Sequence, residues 1–244
     1  MAHSDFVHYS LLQSSLLWFH ITLFVFWVGA DMGVYIAHFY ILDRNLSLET
    51  RLVAAKILRA VDFFPRISMS LFLASGVALI SMNPLGEPFR GWPLALVLIA
   101  SAIWAAATIF LFIRSGGPVR GGERFGHFVE KGDKYGKVVV VAILALIGLY
   151  VLFADTPFGA ESNPKWLGIK VLLYAGAIAS AVGMEMSLAP FNAAFVELLT
   201  VGSSEDVEKR VHDGLIKCRP WAYAIWITVA CAAFVGLWKP GSTY

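Results

Sequence analysis

Six apolar blocks dominate this chain, and their length constrains what it can fold into more than any motif does. A hydrocarbon layer about 30 Å thick is crossed by roughly 20 apolar residues in a helix. Only helices and closed barrels satisfy every backbone N–H and C=O without water. The blocks cover about 11–41, 57–82, 94–113, 138–153, 166–187 and 221–238. Each is continuous rather than alternating, so helices are expected and strands are not. Charged residues make up only 15% of the chain, where a soluble domain carries about a quarter. The expected fold is therefore all-α: a polytopic transmembrane bundle of about six helices, forming one integral membrane domain over residues 1–244. No Lys or Arg precedes the first block between Met1 and Gln13, so that block is expected to stay as a helix rather than leave as a signal peptide. Pro65, one to two turns into the second helix, is a candidate kink.

The cations fall on one side. Arg44, Arg51, Lys56 and Arg59 follow the first block. Arg114, Arg120, Arg124, Lys131, Lys134 and Lys137 follow the third, and Lys209, Arg210, Lys217 and Arg219 follow the fifth. Only Arg90, Lys165 and Lys239 lie on the other side. Such a bias places the basic side in the cytoplasm, with both termini on the outer side, periplasmic for a bacterial inner membrane. A net charge of +2 gives no reason to expect a nucleic-acid partner; the expected partner is the lipid bilayer. Two cysteines, Cys218 and Cys231, make neither a disulfide framework nor a CxxC metal pair, and Cys231, mid-helix, is expected to be a small buried side chain. The glycine-rich run from Ser115 to His127 lacks the order of a phosphate loop and reads as a flexible loop. Ser203-Ser204-Glu205-Asp206 reads as a helix cap opening a short amphipathic surface helix.

Ionisable residues inside spans are costly and are candidates for function. Along the first helix His20, Trp27, Asp31 and His38 fall within about 20° of one line, with the two histidines about 27 Å apart, too far to share a metal ion. Gly29 and Gly33 form a GxxxG pair on the opposite face, suited to close helix packing. Asp62 and Arg66 are placed to pair as i, i+4. Asp62, Arg66 and Glu185, with Asp31, Tyr35 and His38, are expected to build a polar cluster near the basic side, and Lys170 enters the fifth helix at a depth close to that of His20.

These residues carry a family resemblance. Phe19-His20 followed by Trp27-Val28-Gly29-Ala30, Pro65 with Gly76, Trp166-Leu167-Gly168-Ile169-Lys170, and Arg219-Pro220 occur in this order. Together they resemble the small haem-binding membrane proteins of the protoporphyrinogen oxidase family of HemJ type. The first helix, and Thr156-Pro157-Phe158-Gly159 ahead of the lysine, are also similar to copper-resistance membrane proteins of CopD type. HemJ-type proteins are shorter, so two further helices stand between the second and fifth here.

The resemblance implies haem b, with His20 as an axial ligand and Lys170 as a nearby functional cation; His20 and His38 on one face at different depths allow a second haem, and Asp31 on that face is a candidate catalytic residue. Phe24 and Trp27 would pack on the porphyrin. His38 is the candidate ligand at the second depth, and Arg66 completes the cofactor-binding set. Met69, Met82 and the remaining histidines are candidates for a second axial position. The implied activity is that of a membrane-bound haem-dependent oxidoreductase acting on a porphyrin precursor or passing electrons to quinone. A copper or small-solute transporter and a membrane anchor subunit of a redox complex are the alternatives, with a homo-oligomer or a redox partner subunit as possible assemblies.

Overall fold

A computed structural model describes residues 10–115, 123–159 and 164–240. Among them all regular structure is helical: α1 (Leu11–Leu42), α2 (Leu48–Ser81), α3 (Trp92–Arg114), α4 (Glu123–Phe153), α5 (Lys165–Thr200), α6 (Glu205–Ile216) and α7 (Arg219–Trp238), with short 3-10 turns at Pro84–Phe89 and Pro157–Gly159. Six helices are long and apolar enough to cross a membrane, the last reckoned over Glu205–Trp238 with α6 and α7 taken together. This is the all-α bundle expected of a multi-pass membrane protein.

Local chemistry sets the helix starts. Ser10, Ser47 and Ser204 lie just ahead of α1, α2 and α6, and each side chain accepts the N–H three residues on, satisfying one of the donors a helix start leaves open. The cap at Ser204 and the amphipathic helix behind it fall where the sequence puts them. Pro65 is buried inside α2, which continues through it.

α2, α4 and α5 outrun the expected spans at one end, and α4 begins at Glu123, so 123–127 of the glycine-rich run are helix and not loop. α3 and α7 have 23 and 20 residues, about 35 and 30 Å, a match to the hydrocarbon layer. α1, α2 and α5 have 32, 34 and 36 residues, about 48–54 Å. The surplus of α2 and α5 lies at the end that carries the 43–47 and 201–204 connections, called here the basic end. There α1, α2, α5 and α6 enclose a second apolar core around Ile41, Phe195, Leu198, Val207 and Val211. The main core, around Trp27, Met69, Leu144, Ile178 and Ile225, holds α1, α2, α4, α5 and α7 together.

Packing in the main core depends on close backbone approach, as expected where lipid offers no hydrophobic drive between helices. α4 and α5 cross at Gly148 and Gly168; a Cβ on Gly168 would lie 2.9 Å from the Gly148 carbonyl oxygen and 3.0 Å from Leu152 Cγ. Gly168→Ala is therefore expected to cost about 1–3 kcal/mol through overpacking, read as a lower midpoint of thermal unfolding in detergent. The GxxxG expectation for α1 holds at one residue of two: Gly33 faces Val61, whereas Gly29 has nothing within 4 Å of a built Cβ. Cys231 is exposed, not buried, and Cys218 is the buried cysteine. Val229 lies in the core, and Cys231, about 200° further round the helix, faces away.

Candidate functional site

Charged residues gather between the two cores. On α2, Met69 and Phe72 belong to the main core and Ala54 and Leu58 to the second; Asp62 and Arg66 lie between. On α5, Ile178 and Met184 precede Glu185, and Leu188 and Phe191 follow it. On α1, Asp31 separates Trp27 from Ile41. The result is an ionic seam across the bundle. Arg66 donates to Asp62 Oδ2 at 2.6 Å and to Glu185 Oε1 at 2.8 Å. Lys137 donates to the same Glu185 oxygen at 2.7 Å and pairs with Asp133 Oδ2 at 2.6 Å. The i, i+4 pair of Asp62 and Arg66 is thus present, and Glu185 reaches a lysine. That lysine, assigned to a loop by its charge, is a buried residue of α4.

The expected cluster of Asp31, Tyr35, His38 and Glu185 divides in two. Asp31 lies beside the indoles of Trp27 and Trp226 and within electrostatic range of Asp62 and Arg66. It is 8% exposed, and its Oδ2 has no hydrogen-bond partner. His38, by contrast, belongs with Tyr35 and α7. Arg219 Nη2 donates to His38 Nε2 at 3.2 Å, the guanidinium lies over Phe39, and the Tyr35 and Tyr223 hydroxyls meet at 2.6 Å.

A second polar site lies on the other side of the main core, around His20. Ser75 Oγ donates its proton to the Leu71 carbonyl at 2.9 Å. Its oxygen is left to accept from His20 Nδ1 at 2.8 Å. With the hydroxyl proton given to the backbone, the tautomer that satisfies both contacts carries its proton on Nδ1 and a lone pair on Nε2. No partner for Nε2 occurs among the described residues. The imidazole rests on Phe72 with ring centroids 4.2 Å apart, and Phe72 meets Trp27 edge-on at 5.7 Å. Trp27, 1% exposed, also meets Tyr174, whose hydroxyl donates to the Met69 carbonyl at 2.5 Å. Phe24 packs on the same core.

Lys170 is near enough to interact electrostatically with His20. Its Nζ lies against Gly236 of α7, 2.6 Å from where a Cβ would stand. Glycine at 236 thus leaves room for the ammonium within the bundle. His20, Trp27 and Phe24 share one environment with Lys170, whereas Asp31 and Arg66 belong to the seam and His38 to the α7 contact. Met69 lies in the main core, and Met82 follows the last turn of α2. His127 and His212 each lie beside a carboxylate, at 3.5 and 3.2 Å. His3 and His8 lie outside the described residues, as do 116–122 of the glycine-rich run. Among the described residues no three His, Cys, Asp or Glu side chains converge as a metal site.

Sequence reasoning missed Ser75, Trp226, Asp133 and the inward placement of Lys137. For Ser75 a signal was present: it immediately precedes Gly76, the glycine paired with Pro65 in the resemblance. Compared with protein-family models, with curated proteins and with solved structures, the chain matches none, and its function has to be read from the two sites themselves.

Proposed function

We propose that this chain is a haem b-binding membrane redox protein, with His20 as axial ligand through Nε2. The observation that carries the reading is the Ser75–His20 hydrogen bond. Metal-binding histidines are typically held by a hydrogen bond at the other ring nitrogen, which fixes tautomer and ring orientation, and Ser75 does this within a membrane helix pair. The donor set fits the group: a neutral imidazole with a free Nε2, aromatic walls from Trp27, Phe24 and Phe72, and a cation nearby. Lys170 would bind an anionic propionate, and Trp27 would keep water from that side of the site. Bound haem supplies one-electron exchange at iron. The resemblance to HemJ-type proteins gives the same ligand and lysine, and it favours oxidation of a porphyrinogen-like substrate or electron transfer to quinone.

The orientation supported by the basic residues puts the seam toward the cytoplasm and His20 toward the periplasm of a bacterial inner membrane. Purified protein is expected to show a Soret band and one iron per chain; a colourless, iron-free preparation from haem-replete cells would end this reading. Ser75→Ala frees the imidazole to rotate and is expected to weaken haem binding by about 10–100-fold, measured by haem transfer to an acceptor protein.

A further inference from the structure

We propose that Asp31 is a proton-binding site of the seam, exchanging its proton with the basic end of the bundle along the carboxylates of Asp62, Glu185 and Asp133. The first support is a count of charges. Arg66 is shared by Asp62 and Glu185, and Lys137 by Glu185 and Asp133. Two cations thus face three carboxylates before Asp31 is added, and Asp31 has no cation of its own. The groups facing it are Asp62 and Arg66 from α2, the Trp226 indole from α7 and Trp27 on its own helix; Arg66 is in turn paired with Glu185 of α5. A bare carboxylate buried in such a place costs several kcal/mol. A proton removes that cost.

The second support is the pair of orphaned atoms. Asp31 Oδ2 and Trp226 Nε1 are both buried, and among the described residues neither has a polar partner beyond the other. An N–H donor beside the oxygen opposes a metal ion there, and a carboxylic acid still offers an acceptor to the indole and an O–H to the seam. At the far end of the chain Asp133 Oδ1 is likewise buried and unpartnered, while Lys131 and Lys134 next to it are exposed. The seam therefore begins and ends on carboxylate oxygens with spare acceptor capacity. The step is a proton transfer alone: an O–H bond forms at Asp31 as one breaks at the donating carboxyl, and no electrons move.

Infrared difference spectroscopy on the reconstituted protein tests this with or without bound haem, so its failure is separate from failure of the haem reading. The expected result is a protonated-carboxyl band that shifts when aspartate is carbon-13 labelled at its carboxyl. The band disappears in Asp31→Asn, and its exchange into deuterium slows in Glu185→Gln. The labelling shift reports on the wild type, so the test survives a variant that does not fold. No aspartate-sensitive band at any pH where the helices persist, or a band untouched by Asp31→Asn, overturns the site. A band that sodium ions abolish at constant pH makes it a cation site instead, and unchanged exchange in folded Glu185→Gln overturns the route.

Discussion

Glu208→Ala is expected to destabilise the protein by about 3–5 kcal/mol, the cost of leaving a buried charge without its partner. Arg51 is 1% exposed, and its guanidinium has three partners. It donates to both Glu208 oxygens, at 2.6 and 2.9 Å, and to the Ile41 carbonyl at 2.8 Å. Ser203 adds a hydrogen bond to Glu208 at 2.9 Å. One charge-assisted cluster therefore joins α2, the end of α1 and α6. Without the carboxylate, a guanidinium remains inside an apolar core with only one carbonyl to bind. Thermal unfolding in detergent reads the loss, and faster proteolysis between α5 and α6 locates it. Replacing both partners, as Arg51→Met with Glu208→Met, is expected to restore most of the stability, because paired removal leaves no orphan. A single variant as stable as wild type would mean that the pair contributes little.

Loss of haem in His20→Ala, with retention in His38→Ala, is the second large effect expected. The two histidines lie on one helix face and are equivalent in a sequence pattern; their partners separate them. His20 Nδ1 is hydrogen-bonded to Ser75, and no described residue bonds its Nε2. His38 Nε2 receives a hydrogen bond from Arg219, so an iron there would have to displace a guanidinium. One haem per chain follows from the proposed function, and the Soret absorbance of the two variants, normalised to protein, checks it. A band that survives His20→Ala and vanishes in folded His38→Ala would reverse the assignment.

What was legible in the sequence follows from what each feature depends on. Apolar run length alone points to a membrane span, and each of the six blocks falls on a helix long and apolar enough to cross one. The extensions of α2 and α5 were not visible because Arg51, Lys56 and Glu197 interrupt residues 48–56 and 188–200. Those charges lower the hydropathy of segments that bury their apolar faces against α6. Pairs within one helix, such as Asp62 with Arg66, follow from spacing. Contacts between helices depend on how each is rotated about its axis. That rotation brings Lys137 inward to Glu185, turns Cys231 outward, and sets Ser75 against His20; a single sequence does not encode it visibly. The neighbourhood of His20 and Lys170 was anticipated from depth, whereas the hydrogen bond that prepares the imidazole required the second helix in place.

The unequal helix lengths have a mechanical consequence. α3 and α7 match one hydrocarbon thickness, and α2 and α5 exceed it at the basic end. In a thicker bilayer, acyl chains would reach toward the second core around Ile41, Leu198 and Val211. Tilting, the usual relief for hydrophobic mismatch, is opposed because Arg51 and Glu208 tie the surplus lengths to α6. The cost of a mismatched bilayer would then fall on the buried ion pair and not on the tilt of the helices.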